Sequence, residues 1–336
     1  MTKARSRAGV FLVLASVAMG PAACDDGDEI GIPDGGLLDD GGMTADSASV
    51  PAVVDCSQIA QGFCDVVSRC LKGWIETAFG DIATCAGRLR LACEDAKAAP
   101  GSTLTAAAQN SCLQGLAAAS CADVIDRKFT GCDIPGTRVD GMGCAHNGQC
   151  ASNLCRSSET LCGACGPKAA AGGACTEDEE CTTGLVCPEV DGTRRCVARA
   201  PAGMACSRTQ PCAYGFACDG NLCVAAGKAG ATCRRPGGDL VGTCDGTQYL
   251  FCGSGNVCQV IPTASAGQPC GVIGNGYVGC AGGTYCRTNA LSFTGVCANT
   301  AADGTACGPL PAGPPCVAPA TCVDGLCRLP SALQCQ

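Results

Sequence analysis

Residues 203–223, GMACSRTQPCAYGFACDGNLC, decide how this chain is built. A small residue precedes Gly203, two residues separate it from Cys206, and Cys212, Cys218 and Cys223 follow at short intervals. Between the cysteines lie Gly, Pro, Asp and Asn, which favour turns. The same opening, a small or acidic residue and then Gly-x-x-Cys, occurs six times, at Gly141, Gly172, Gly203, Gly230, Gly267 and Gly304. Successive openings lie 27 to 37 residues apart, a tandem-repeat period.

The first unit holds Cys144, Cys150, Cys155, Cys162 and Cys165, and the second Cys175, Cys181, Cys187 and Cys196. Cys206, Cys212, Cys218 and Cys223 form the third, and Cys233, Cys244, Cys252 and Cys258 the fourth. Cys270, Cys280, Cys286 and Cys297 form the fifth, Cys307, Cys316, Cys322 and Cys327 the sixth, and Cys335 lies beyond. Asp219-Gly220 and Asp324-Gly325 predict tight hairpin turns, so such a unit reads as an irregular loop followed by a two-stranded ribbon. Leu185, Phe216, Phe251 and Tyr285, beside the third cysteines, are expected to cover the bridges. Four cysteines allow three pairings, and spacing does not choose among them.

Modules of about 30 residues bury too little surface to fold unaided. Here 35 of 336 residues are Cys, the signature of a disulfide scaffold that excludes a reducing cytosol. A bridge closing a 15-residue loop contributes about 3 kcal/mol, so many bridges can replace an apolar core. A metal or cofactor is not expected, since zinc proteins rarely combine so many thiols with one His.

The chain opens with Lys3, Arg5 and Arg7, then the apolar run Gly9 to Met19, too short to span a bilayer and right for a secretory signal over residues 1–23. Pro21-Ala-Ala-Cys24 resembles a bacterial lipoprotein signal, which implies lipidation of Cys24 and a membrane anchor; the alternative is cleavage near Ala23 and secretion. Lipidating Cys24 leaves 34 cysteines, an even number able to pair fully. Residues 24–52 form a Gly-rich acidic tether with eight acids and no base between Asp25 and Asp46, too polar to order itself. It lacks the alternating oxygen ligands and final Glu of a calcium loop. Losing the three leader cations takes the formal charge from −8 to −11, nine of it from the acids up to Asp55, so the remainder is nearly neutral. No basic face exists to hold nucleic acid.

Residues 53–132 carry helical periodicity instead. Cys56, Ile59, Ala60, Phe63, Cys64, Val67, Cys70, Leu71 and Trp74 fall on one predicted helix face. Asp81 is a predicted N-cap before Cys85, Leu89 and Cys93, and the eight-residue step between those cysteines turns both toward one neighbour. A third helix starts near Thr105 with Cys112 and Leu116, and a short fourth follows Cys121. With Cys132 this region has eight cysteines, compatible with four bridges. Phe63 and Trp74 are expected in its core, and Arg88, Arg90 and Arg127 in solvent. The predicted fold is therefore small and disulfide-rich: a disulfide-pinned helical bundle, then cysteine-rich repeats with short β-hairpins over residues 133–336. Nine cysteines lie between Cys144 and Cys196 and seventeen from Cys206 to Cys335, so if the helical eight close among themselves, at least one bridge joins these two sections.

The section from Cys144 to Cys196, with its Cys162-Gly-Ala-Cys165 pair between two C-x5-C starts, resembles the N-terminal cysteine-rich domain of Dickkopf proteins. That likeness implies a small extracellular fold and protein binding. The family has adjacent cysteines where this chain has Cys181-Thr182, so its pairing is not carried over. The layout as a whole resembles cysteine-rich bacterial surface lipoproteins.

Motifs of catalysis are thin. Gly274-Asn-Gly-Tyr-Val-Gly279 fits G-x-G-x-x-G without the strand and helix that a dinucleotide site needs. Cys162-x-x-Cys165 lacks a thioredoxin-like setting. His146, the only His, sits in a loop expected to face solvent. The sequence therefore predicts a non-enzymatic, membrane-anchored surface protein that contacts a protein or glycan partner. The alternative is a protease inhibitor using the Gly308 to Pro315 loop.

Overall fold

The computed structural model describes residues 54–156, 162–190, 192–235, 241–274, 276–288, 293–308, 313–329, 331–332 and 335. The expected signal segment, Cys24 and the acidic tether lie outside the described residues.

Five helices form the N-terminal region: α1 (Cys56–Cys70), α2 (Trp74–Ala78), α3 (Ile82–Ala98), α4 (Ala106–Ala118) and α5 (Cys121–Ile125). Asp55 caps α1 through a reciprocal box, accepting the Gln58 N–H at 3.0 Å while Gln58 Oε1 accepts the Asp55 N–H at 3.2 Å. Asp81, Thr105 and Ser120 cap α3, α4 and α5 by accepting backbone N–H groups. The first helix stops earlier than its apolar period suggests. Gly73 takes a left-handed φ of 78°, which breaks the ladder and swings Trp74 into α2.

Cys56–Cys93 and Cys64–Cys85 pin α1 antiparallel to α3, using both cysteines of the eight-residue step. Cys70–Cys121 ties the end of α1 to α5, and Cys112–Cys132 ties α4 to the chain beyond α5. Around these sulfurs lie Phe63, Val67, Trp74, Ile75, Leu116 and Val124, all buried. Phe63 packs on Phe129 at 5.6 Å, and Trp74 meets Phe79 edge-on at 5.7 Å. This is the one large apolar core among the described residues.

Beyond Cys132 the chain is loops and small sheets. In the first cysteine segment, β1 (Gly143–Cys144), β2 (Cys155–Arg156) and β3 (Gly163–Cys165) form a three-stranded sheet. In the second, β4 (Leu185–Val186) pairs with β7 (Val197–Ala198), and β5 (Glu189–Val190) with β6 (Thr193–Arg194). Next come the hairpins of β8 (Phe216–Asp219) with β9 (Leu222–Ala225) and β10 (Leu250–Cys252) with β11 (Cys258–Val260). The fifth segment is larger: β12 (Thr263–Ala264), β13 (Pro269–Ile273), β14 (Gly276–Cys280), β15 (Thr284–Thr288) and β16 (Thr294–Asn299) form a sheet ordered β12-β14-β13-β16-β15. Finally, β17 (Thr321–Val323) pairs with β18 (Leu326–Arg328).

One bonding scheme occurs in all six segments. The first cysteine bonds the third and the second bonds the closing one, as in Cys206–Cys218 with Cys212–Cys223. Each opening glycine has φ between 72° and 88° and donates its N–H at 2.8 Å to the closing cysteine, Cys165, Cys196, Cys223, Cys258, Cys297 or Cys327. That cysteine's N–H returns to the residue after the glycine at 2.8 to 2.9 Å. Three residues before each glycine, Arg138, Ala169, Ala200, Gly227, Ala264 or Ala301 pairs in parallel with the second cysteine. The recurrent glycine is thus required by backbone conformation, because a Cβ there would meet nothing within 4 Å.

The hairpin turns refine the sequence reading. Between β17 and β18 the central pair is Asp324-Gly325, both with positive φ, but between β8 and β9 it is Gly220-Asn221, one residue later than expected. Gly274 to Gly279 does follow a strand, β13. It leads into another strand, β14, so it is a hairpin junction; Asn275 is outside the described residues.

Candidate functional site

All 34 cysteines from Cys56 to Cys335 are joined in 17 bridges. Sulfurs of Cys144, Cys150 and Cys165, and of the matching trios elsewhere, lie within 4.8 Å of one another. They are spent on each other as disulfides, and a metal ligand must be a thiolate. Cys162 and Cys165 do not bond to each other: Cys165 pairs with Cys150, and Cys162 with Cys335. The Cys162–Cys335 bridge spans 173 residues and joins the two sections of the tail.

The tail is held around the helices by a series of polar anchors. Arg88 on α3 makes a fork to Asp303, with Nη1 at 2.6 Å and Nη2 at 2.9 Å, and also donates to the carbonyls of Val317 and Ala318. Arg127, just past α5, lies 2.8 Å from Glu179 and 3.7 Å from Asp178. Both arginines are largely buried, at 17% and 13% side-chain exposure, which corrects the expectation that they face solvent. Arg90 does stay half exposed, paired with Glu94 on its own helix. Burial raises the Glu179 carboxyl, with the Arg127 charge opposing, and lowers the Arg199 guanidinium, which faces Asp126 at 3.5 Å.

Tyr249 makes a third anchor. It has φ 57°, and its ring lies on Gly73 so closely that a Cβ there would come within 2.6 Å. Burial, helped by Tyr277, pushes its hydroxyl up to about 12. Nearby, the Gly282 N–H donates to Glu76 in α2 at 2.9 Å.

His146 makes the fourth. It is 3% exposed, contrary to the expectation of a solvent-facing turn, and its Nε2 lies 2.6 Å from Asp95 Oδ2 on α3. The same carboxylate oxygen accepts the Ala332 N–H at 3.3 Å. Asp95 therefore holds both the first cysteine segment and the chain's end. Its carboxyl is lowered mainly by the His146 hydrogen bond.

No protein-family model, curated protein or solved structure matches this chain.

Two features remain that a ligand could meet. A cleft of about 150 Å³ lies at the junction of the helices with the first two cysteine segments, where Phe129, Ile134 and Leu185 meet Arg127, Lys168 and Glu179. Its charges are already paired: Arg127 with Asp178 and Glu179, Lys168 with Asp133 at 3.6 Å. The second feature lies on the hairpins. The residue before each closing cysteine pairs antiparallel with the residue before the first. Three such residues are exposed and apolar: Leu222 at 49%, Val296 at 42% and Leu326 at 39%. Their partners are Ala205, Pro269 and Ala306. Their place before the closing cysteine was visible in the sequence, but their exposure required the hairpin register. Residues 309–312 of the Gly308 to Pro315 loop lie outside the described residues.

Proposed function

We propose that this chain is a non-enzymatic, exported surface protein, held to a membrane by a lipid on Cys24, that offers tandem disulfide-braced repeats to a protein or glycan partner. Extensive disulfide bonding supports a setting outside the reducing cytosol. Among the described residues no helix is long and apolar enough to cross a membrane; the proposed anchor rests on the lipoprotein-like stretch Pro21-Ala-Ala-Cys24. The cysteine spacing it shares with Dickkopf N-terminal domains accords with a binding module.

The observation that carries the binding reading is the exposed apolar residue at one register position in three segments, Leu222, Val296 and Leu326. Covalent bracing holds such residues out without the entropy cost that flexible loops incur on binding. The sole His is buried and engaged with Asp95, which accords with a non-enzymatic reading.

The test is a pull-down on cell-envelope extract with the full chain, alongside Leu222→Asp/Val296→Asp/Leu326→Asp and reduced chain. A partner retained by the oxidised protein and lost in both controls supports the reading. Equal capture by the triple variant excludes this surface. Mass spectrometry of the N-terminal peptide tests the anchor, and unmodified Cys24 would refute it.

A further inference from the structure

The five-stranded sheet ends in β15 (Thr284–Thr288), which pairs with β16 on one side and with no strand on the other. The Thr300 N–H donates to the Gly283 carbonyl at 3.1 Å, which fixes the phase of that ladder. Alternation then turns the N–H and carbonyl groups of Tyr285 and Arg287 toward β16, and those of Thr284, Cys286 and Thr288 away from the sheet. Among the described residues no other backbone group bonds to these outward-facing ones. Just before the strand the edge is occupied, because Glu76 in α2 accepts the Gly282 N–H at 2.9 Å. The open edge is thus the strand itself. Cys270–Cys286 ties it to β13, so it is braced before any partner arrives.

We propose that β15 is a pairing edge for a second copy of this chain, joined antiparallel about a two-fold axis at Cys286. In that register the strand, Thr-Tyr-Cys-Arg-Thr, is complementary to itself. Each outward N–H of one copy meets an outward carbonyl of the other, and Thr284 lies opposite Thr288 of the second copy. Tyr285 lies opposite Arg287 of the second copy, at a position without backbone hydrogen bonds, where facing side chains come closest. Arg287 is exposed and takes part in none of the ion pairs among the described residues. Its guanidinium is therefore available to the Tyr285 ring of the second copy, and the two-fold axis repeats that cation–ring contact.

The surroundings select this register. A shift toward Gly282 drives the second strand onto α2, and a shift the other way leaves outward groups unpaired. An unrelated extended peptide would satisfy the backbone but not the reciprocal Tyr285 and Arg287 contacts. On β16, Val296 is 42% exposed and pairs with Arg287, so joining the edges extends its sheet face across both copies. The inference depends neither on the lipid anchor nor on the partner proposed above.

The experiment uses the oxidised chain with its leader removed and Cys24→Ser, so that no lipid drives association. Sedimentation equilibrium up to about 1 mM should show a monomer–dimer equilibrium, in the weak range of a small interface. Amide exchange at Thr284, Cys286 and Thr288 should slow at least about fivefold as the dimer fills, while Tyr285 and Arg287, already bonded to β16, stay unchanged. Thr288→Pro removes an outward N–H that serves no bond within the sheet, so the fold should survive and the dimer be lost. Arg287→Ala should weaken the dimer about tenfold by removing both ring contacts. A monomer at about 1 mM overturns the proposal, as does a dimer without protection at those three amides, or one that either variant leaves intact. Protection that appears only with cell-envelope extract would assign the edge to a foreign strand and equally overturn pairing with a second copy. If Thr288→Pro misfolds, amide exchange on the parent chain still decides.

Discussion

Gly115 and Gly304 are glycines for opposite reasons. A Cβ on Gly115, in α4, would lie 1.6 Å from the Thr130 carbonyl oxygen, whereas Gly304 has open space around it but φ 73°. Gly304→Ala should therefore cost only backbone strain, about 1 kcal/mol. Gly115→Ala must push the 130 segment off the helix and should cost roughly 3 kcal/mol. Denaturant midpoints of the oxidised variants compare them, and equal losses would show that the close approach is not maintained in solution. Two carboxylates set opposite pH dependences. Asp95 is depressed by His146 below its ordinary 3.8, so its contribution is present above that value and lost as pH falls through the lowered one. Glu179 is raised by burial above 4.5, so the stability of its neutral form is present below 4.5 and lost as pH rises through the raised value. Asp95→Asn should flatten the acid limb of a stability profile, and Glu179→Gln the limb above it. If both variants keep the parent profile, these contacts do not persist in solution.

At the scale of elements, stability comes from two different sources. The helices share a core of Phe63, Val67, Ile75 and Leu116, and their bridges reinforce it. A cysteine segment has little beyond its sulfurs: the buried cluster of the second is Cys175, Cys181, Cys187 and Cys196. Removing Cys206–Cys218 as a Ser pair should cost about 2 to 3 kcal/mol, the value of a bridge closing a short loop. Amide exchange should rise between residues 203 and 225 only, because Cys212–Cys223 still spans the hairpin. Exchange rising throughout the tail would mean that the segments do not fold independently. Full reduction should abolish β-hairpin signals while helix signals persist in part, read by far-ultraviolet circular dichroism.

At the scale of the molecule, the tail does not trail from the helices. His146, Glu179, Tyr249, Gly282 and Asp303 touch them in turn, and Cys335 returns to Cys162. Arg88 is the anchor of the last segment. Arg88→Ala leaves Asp303 and two carbonyls without their donor and should cost roughly 3 kcal/mol, as for a buried pair that loses one partner. Arg88→Lys should recover only part, since an ammonium cannot reproduce the fork. Amide exchange over residues 301–328 would report the loosening. A wild-type pattern in Arg88→Ala would mean that the segment is held elsewhere.

Periodicity, caps and cysteine spacing are local properties, and they specified the helices, the hairpins and the count of sulfurs to be paired. The eight-residue step from Cys85 to Cys93 even indicated a common neighbour, α1. What no spacing could choose was the first-to-third and second-to-closing pairing, because the alternatives close loops whose lengths differ by a few-fold at most and closure entropy grows only slowly with length. Nor could it foresee that Arg88 and Arg127 would be largely buried and His146 fully so. Their partners Asp303, Glu179 and Asp95 lie 215, 52 and 51 residues away in the chain, so only packing brings them within reach. Composition determined that sulfur would stand in for a core; the three-dimensional wrapping of tail on helices decided which polar groups lost their water.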